Sequence, residues 1–167
     1  PYGYPAGLAS FVARNGLPRW RATWDWLREH IEDDEWNRNN RFAVAATLNR
    51  LLGGGPGPFW GCPVNATFEG LGPTMKGLFA YPFECAGVVL KEFRYTERVM
   101  GGVQATWKLL GNGAVGSQTL VGTPYVHCLR FDPDLEPHSA VWPFETGFIA
   151  DPVGGRRPFV LHVEIWP

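Results

Sequence analysis

Near the end of the chain lies Phe159-Val160-Leu161-His162-Val163-Glu164-Ile165-Trp166, the most strand-like run in the sequence. Side chains alternate along a strand, so His162 and Glu164 share one face while the aliphatic residues 161, 163 and 165 share the other. A run that is apolar on both faces is typical of a strand buried in a parallel sheet. An ionised carboxylate there costs several kcal/mol unless it is paired, hydrogen-bonded or bound to a cation. Glu164 therefore needs a partner, unless it lies where the strand meets water.

A second apolar run with a carboxylate inside it is Ala140-Val141-Trp142-Pro143-Phe144-Glu145-Thr146-Gly147-Phe148. Glu145 is equally compatible with a turn residue or a helix cap. A lone histidine such as His162 is typical of a satisfied core residue. Functional carboxylates in α/β sheets lie at the carboxyl ends of strands, however, so Glu145 and Glu164 are candidate catalytic and metal-binding residues.

The bulk composition indicates one globular unit. A chain of 167 residues with 45% hydrophobic content can bury one core, so we expect residues 1–167 to form a single α/β domain. The 15 basic residues against 16 acidic ones provide no net positive field for nucleic acid, so any such role rests on a local patch. Eight Trp and eleven Phe indicate a core or pocket rich in flat rings.

The three cysteines, Cys62, Cys85 and Cys128, are widely spaced and lack a C-x-x-C motif. This pattern argues against a disulfide framework and against zinc, and it favours a reducing, cytoplasmic compartment. No apolar run reaches the length of a membrane span. The chain opens at Pro1 without Met and stops at Pro167 directly after its most strand-like segment, so we expect a fragment truncated at both ends.

Periodicity predicts a short helix over residues 6–14 and two amphipathic helices, over residues 18–31 and from residue 39 or 40 to 52. The acidic cluster 32–35 lacks the spacing of a calcium loop and indicates a solvated turn. Residues 53–81 form a Gly/Pro-rich aromatic loop, for which we expect packed rings and a position over a pocket.

Two further segments carry candidate ligands. Residues 92–98 alternate and carry charge, which favours an edge strand or an ordered loop, with Arg94 either paired to Glu97 or presenting its fork to an anionic ligand. The glycines at 111, 113 and 116 match G-x-G-x-x-G, but no buried strand clearly precedes them, so a dinucleotide fingerprint is not favoured. The start of the predicted helix there is a candidate anion site, made by amides and hydroxyls of Gly116, Ser117, Gln118 and Thr119.

Short segments spread through the chain carry a family resemblance. In these segments, the chain resembles a C-terminal portion of the RNase H-like predicted nucleases grouped as domain-of-unknown-function family 429. The resemblance is strongest to relatives labelled molybdopterin guanine dinucleotide synthesis proteins. The segments are Pro1-Tyr2-Gly3-Tyr4-Pro5-Ala6-Gly7, Arg94 with Thr96-Glu97, Gly116-Ser117-Gln118-Thr119-Leu120, Val141-Trp142-Pro143-Phe144-Glu145-Thr146-Gly147 and Glu164-Ile165-Trp166-Pro167.

The resemblance implies an RNase H-like α/β fold, in which a mixed sheet flanked by helices carries acidic residues that bind Mg²⁺ or Mn²⁺. Glu164 matches the acidic position of the terminal E-I-[YW]-P motif, and Glu145 matches the W-P-F-E-T-G motif. Similar proteins carry two more acidic residues, on the first strand and before the P-[FY]-G-Y-P turn, which have no counterpart here. The chain on its own is therefore expected to be inactive.

Three functions follow from these residues. The first is a divalent-metal-dependent phosphodiester hydrolase acting on a nucleotide or a short nucleic acid, with phosphate positioned by Arg94 or Ser117. The second is a non-catalytic nucleotide- or pterin-binding protein in molybdenum cofactor metabolism, whose aromatic loop stacks the ring. The third is an inactive RNase H-like interaction domain, since a fold alone does not establish activity.

Overall fold

The computed structural model describes residues 8–12, 17–53, 55–85 and 87–164 as a mixed α/β arrangement of helices with two small sheets. No helix in these ranges has the length and apolar character that a bilayer crossing requires. The elements in chain order are α1 (Leu8–Val12), α2 (Arg19–His30), α3 (Arg41–Gly53), β1 (Phe83–Cys85), β2 (Val88–Leu90), α4 (Tyr95–Met100), α5 (Val115–Arg130), a 3₁₀ turn (Glu136–His138), β3 (Ser139–Val141) and β4 (Val160–His162).

The two predicted amphipathic helices are confirmed as α2 and α3, with bounds close to those expected from periodicity. Of the short helix predicted over residues 6–14, residues 8–12 are helical and the others lie outside the described residues. Helix α2 starts after Pro18, which has a φ of −56°, and ends where Ile31 turns extended. It buries Trp26 and Leu27 in the main core, and Trp24 is buried outside that cluster. Helices α1 and α5 both pack on α2, and α3 contacts α1 and α5, so the helices enclose the main core.

Helix α5 is one continuous helix through Pro124, although the sequence predicts a new start there. A proline removes one amide donor from a helix. The hydroxyl of Thr123 donates to the Thr119 carbonyl at 2.6 Å, and both residues are fully buried. The helix is tied to α2 by His127, whose Nε2 lies 2.8 Å from Oδ1 of Asp25.

In the segment expected to be an aromatic loop, Gly53 ends α3, residue 54 lies outside the described residues, and residues 55–81 contain packed rings. Phe59 is fully buried and meets Trp107 edge to face, with ring centroids 5.0 Å apart. Asn49 on α3 fixes the loop by donating to the Phe59 carbonyl at 2.9 Å and the Gly70 carbonyl at 2.7 Å. Its Oδ1 accepts the Phe59 amide at 2.9 Å, so one buried side chain serves three backbone groups.

Residues 92–98 depart from the expected edge strand or loop, because Tyr95–Met100 is helical. The Arg94 amide donates to Oε2 of Glu97 at 2.7 Å, which satisfies a donor at the helix start. This local bond explains the helix in a segment whose alternation favours a strand.

The two sheets have two strands each. Strands β1 and β2 form an antiparallel hairpin. Strands β3 and β4 are parallel, with Ser139 opposite Val160, Ala140 opposite Leu161 and Val141 opposite His162. The parallel pairing agrees with the apolar pattern, but β4 ends at His162, so Glu164 lies beyond the strand rather than inside it.

Candidate functional site at the carboxyl ends of the parallel strands

Both candidate carboxylates follow the same edge of the β3–β4 sheet. Glu145 lies in the turn after β3, where its amide donates to the Val141 carbonyl at 2.9 Å. Glu164 comes two residues after β4 ends. Because the strands are parallel and paired, these positions lie beyond the carboxyl ends of neighbouring strands, which is where ligands bind in open α/β sheets.

Glu145 is held by Arg130, the last residue of α5. Nε and Nη2 of Arg130 each donate to the carboxylate at 2.8 Å, and the Val141 amide adds a bond of 2.7 Å. Burial alone would raise the pKa of Glu145, but these bonds and the charges of Arg130 and Arg21 outweigh it and hold the pKa below its usual value. Glu145 is therefore an ionised, bidentate partner of a buried guanidinium.

His162 lies beside this pair. Its backbone carbonyl accepts the Trp142 amide at 3.0 Å, while its Nε2 is buried and has no hydrogen-bond partner among the described residues. Burial and the charge of Arg130 lower the pKa of His162, so the imidazole is neutral at pH 7. It is a polar side chain beside the ion pair rather than a third charge.

Arg21 approaches the same pair from α2. Its guanidinium lies 4.2 Å from the centroid of the Phe131 ring, and its buried Nε also lacks a partner in the described ranges. Arg130 lies 5.0 Å from the centroid of the same ring. Two guanidinium groups, one carboxylate and one neutral imidazole thus form a polar cluster under the sheet edge.

Glu164 is held by Arg94. The Arg94 Nη1 and Nη2 atoms donate to the two carboxylate oxygens at 2.9 and 2.6 Å, and Nε donates to Glu97 at 2.8 Å. Burial would lower the pKa of Arg94, but bonds to Glu164 and Glu97 raise it above its ordinary value. The sequence predicts that Glu164 needs a partner and that Arg94 can bind an anion. The structure pairs these two residues with each other.

The predicted anion site at the start of α5 is packed against residues 106–109. The Gly116 amide donates to the Lys108 carbonyl at 3.0 Å. The Ser117 hydroxyl donates to the Leu109 carbonyl and accepts from Nε of Arg41. Thr119 is buried, and its hydroxyl donates a hydrogen bond to the Val115 carbonyl. Of the four predicted anion-binding residues, only Gln118 is exposed. The Gly116 amide and both hydroxyls thus already have protein partners.

Gly116 itself is required by close packing. A Cβ at this position would lie 2.4 Å from the Thr106 carbonyl oxygen and 2.6 Å from the Lys108 carbonyl oxygen. We expect Gly116→Ala to lower the free energy of unfolding by about 2 kcal/mol, because backbone must shift to admit the methyl group. Urea denaturation measures the loss, and Gly55→Ala is the control, because a Cβ at Gly55 would meet nothing within 4 Å and neither glycine has a positive φ. A Gly116→Ala midpoint equal to that of the parent would contradict this packing.

No family model, curated protein or solved structure matches this chain.

The carboxylates do not form a complete metal site with other described side chains. In residues 8–12, 17–53, 55–85 and 87–164, no three His, Cys, Asp or Glu side chains come together around one point. Glu145 and Glu164 both accept from guanidinium groups, so a divalent ion would have to displace an arginine from either one. The described residues therefore do not fit a two-metal centre.

Arg130 is the site residue that sequence reasoning missed. It shares a helix face with Thr123, seven residues earlier, and both are buried. A charged residue on a buried helix stripe requires a carboxylate partner, so this periodicity is the signal that would have found it. The identity of that partner, 15 residues away, has no local signature.

Proposed function

We propose that the chain is part of an RNase H-like phosphodiester hydrolase, with its site at the carboxyl ends of β3 and β4. The observation that carries the proposal is the parallel register, which puts Glu145 and Glu164 beyond the same edge of neighbouring strands. This is the arrangement expected for acidic residues that act together on a phosphate ester. The motif resemblance of both segments supports the same function.

In this proposal the catalytic residues are Glu145 and Glu164, and Arg94 and Arg130 are their counter-charges. A guanidinium fork fits a phosphate oxygen pair as well as a carboxylate, so either arginine can exchange its glutamate for substrate phosphate. The neutral imidazole of His162 lies beside Arg130, so the guanidinium groups carry the positive charge of this cluster. Substrate binding at this edge therefore begins as an exchange of ion-pair partners.

Mg²⁺ or Mn²⁺ is the cofactor that the proposal requires, and it would polarise the phosphate and supply a nucleophilic water. Its ligands in this chain would be Glu145 and Glu164. Since the described side chains do not complete a two-metal centre, we expect the metal ion to bind weakly. Its binding requires that a carboxylate be released from its arginine.

Mn²⁺ titration followed by electron paramagnetic resonance tests the proposal. We expect Glu164→Gln to weaken Mn²⁺ binding by about tenfold or more, because removing a carboxylate charge removes the main attraction for a hard cation. Glu35→Gln, a change at an exposed glutamate in the acidic turn, serves as the control and should bind Mn²⁺ like the parent. Unchanged near-UV circular dichroism shows that the fold persists.

Equal Mn²⁺ affinity in the parent and in Glu164→Gln would refute the metal-dependent assignment. Nucleotide binding without metal, detected by quenching of tryptophan fluorescence, would instead favour the non-catalytic nucleotide- or pterin-binding function. Binding of neither would leave the interaction domain as the function to pursue.

A further inference from the structure

The connection between β3 and β4 contains a second positively charged feature, which we name the arginine loop, residues 151–159. Its shape is fixed locally, because Oδ1 of Asp151 accepts the amides of Val153 at 3.2 Å and Gly154 at 3.0 Å. Gly154 and Gly155 have positive φ values of 59° and 75°, a conformation that favours glycine. The loop is therefore held in one turn before it reaches β4.

Arg156 is held rigidly in this loop without losing its charge. Its guanidinium lies 4.2 Å from the centroid of the Phe159 ring. Nε donates to the Val153 carbonyl at 2.9 Å and Nη2 to the Pro152 carbonyl at 3.0 Å. These partners are neutral, so the positive charge remains available, and the Nη1 donors have no partner in the described chain. A pre-organised cation loses little side-chain entropy when it binds an anion.

Arg157 adds a second charge that no described carboxylate neutralises. It is exposed, and no hydrogen bond or ion pair holds it within the described ranges. It contrasts with Arg38, Arg94 and Arg130, which all pair with carboxylates.

An open cleft of about 670 Å³ lies between these side chains. Among the described residues, its lining consists of the two arginines with Val153, Pro158 and Phe159, none of which is acidic. A cleft that combines uncompensated positive charge with an aromatic ring matches the requirements of single-stranded nucleic acid, where phosphates meet cations and bases stack on flat groups.

We propose that this cleft binds the phosphodiester backbone of a short single-stranded nucleic acid, at a phosphate remote from the one that is cleaved. The inference rests on the proposed function, because it names the substrate of that site. The cleft precedes β4 and Glu164 follows it, so the three-residue strand separates the two by about 10 Å or more. A substrate longer than one nucleotide can therefore contact both ends of β4.

The test is fluorescence anisotropy of a fluorescein-labelled single-stranded oligonucleotide, measured without metal at several salt concentrations. We expect the double variant Arg156→Gln/Arg157→Gln to bind about tenfold more weakly at low salt. The slope of log affinity against log salt should flatten by about 1.4, the value for two lost contacts to a single strand. Arg38→Gln removes an exposed arginine that is paired with Asp34, and it should leave affinity and slope unchanged.

The inference is overturned if the parent does not bind the oligonucleotide, or if the double variant keeps its affinity and salt slope. The proposed function is tested separately, since its readout is Mn²⁺ binding by Glu164→Gln. If oligonucleotide binding depends on the arginine loop but Mn²⁺ affinity is unchanged in Glu164→Gln, the inference stands and the hydrolase function is refuted. If Mn²⁺ affinity falls in Glu164→Gln but oligonucleotide binding does not depend on the arginine loop, the hydrolase function stands and the inference is refuted.

Discussion

Replacing Asn49 by leucine is expected to lower the free energy of unfolding by about 4 kcal/mol. Asn49 is fully buried, and its amide makes three hydrogen bonds to backbone groups of Phe59 and Gly70. Leucine has a similar volume but cannot donate or accept, so the buried Phe59 amide and carbonyl and the part-buried Gly70 carbonyl would lose their partner. Each such group costs about 1 to 3 kcal/mol.

Urea denaturation followed by far-UV circular dichroism measures the Asn49→Leu effect. Asn65→Leu is the matched control, because Asn65 is exposed and has no side-chain bond within the described ranges, so its midpoint should stay near that of the parent. A loss for Asn49→Leu below about 1 kcal/mol would mean that water replaces the amide, and the loop of residues 53–81 would not depend on this side chain.

Replacing Arg130 by methionine is expected to cost about 3 kcal/mol at pH 7. Removing one partner of a buried ion pair typically costs about 3 to 5 kcal/mol, because the other charge is stranded. The Arg130 side chain is 10% exposed but that of Glu145 is 26% exposed, so partial solvation places the effect at the lower end. Methionine preserves most of the buried volume and removes only the charge and the donors.

The pH dependence distinguishes a stranded charge from lost packing. The pKa of Glu145 is lowered in the folded protein, so the stability that its pairing contributes is present above its unfolded pKa and is lost as pH falls through the folded value. The difference between parent and Arg130→Met should therefore shrink as pH falls below about 4.5, the ordinary pKa of the group.

A second substitution provides the control for this prediction. Arg130→Met/Glu145→Gln should recover much of the loss at pH 7, because the carboxylate that the single substitution leaves without Arg130 is then absent. Arg38→Gln, which breaks the exposed pair with Asp34, should leave the unfolding midpoint unchanged. If Arg130→Met is destabilised equally at acid and neutral pH, packing rather than charge explains its effect.

Local patterns predicted those parts of the fold that depend on neighbouring residues. The stripe of Trp24 and Leu27 predicted α2, and the two-sided apolar run predicted that β4 pairs in a parallel sheet. The predicted strand was too long, because the apolar run continues past His162 while the observed ladder ends there. Apolarity indicates burial, but a neighbouring strand decides where a ladder stops.

Long-range partners could not be predicted in the same way. The sequence shows that Glu164 needs a counter-charge and that Arg94 can supply one, but these residues are 70 positions apart. The expectation of free donors at Gly116 and Ser117 did not anticipate that residues 106–109 cover them. Such contacts depend on how distant segments meet, which neither periodicity nor spacing encodes.

The Arg94 guanidinium is shared between Glu97 and Glu164, so it does not depend on Glu164 alone for a counter-charge. Glu97 is 6% exposed and keeps its own bond to Arg94 if Glu164 moves away. Departure of Glu164 therefore leaves Arg94 with one carboxylate rather than none. In the proposed function, a divalent ion that displaces Arg94 from Glu164 would therefore break one ion pair without leaving a buried charge unpaired.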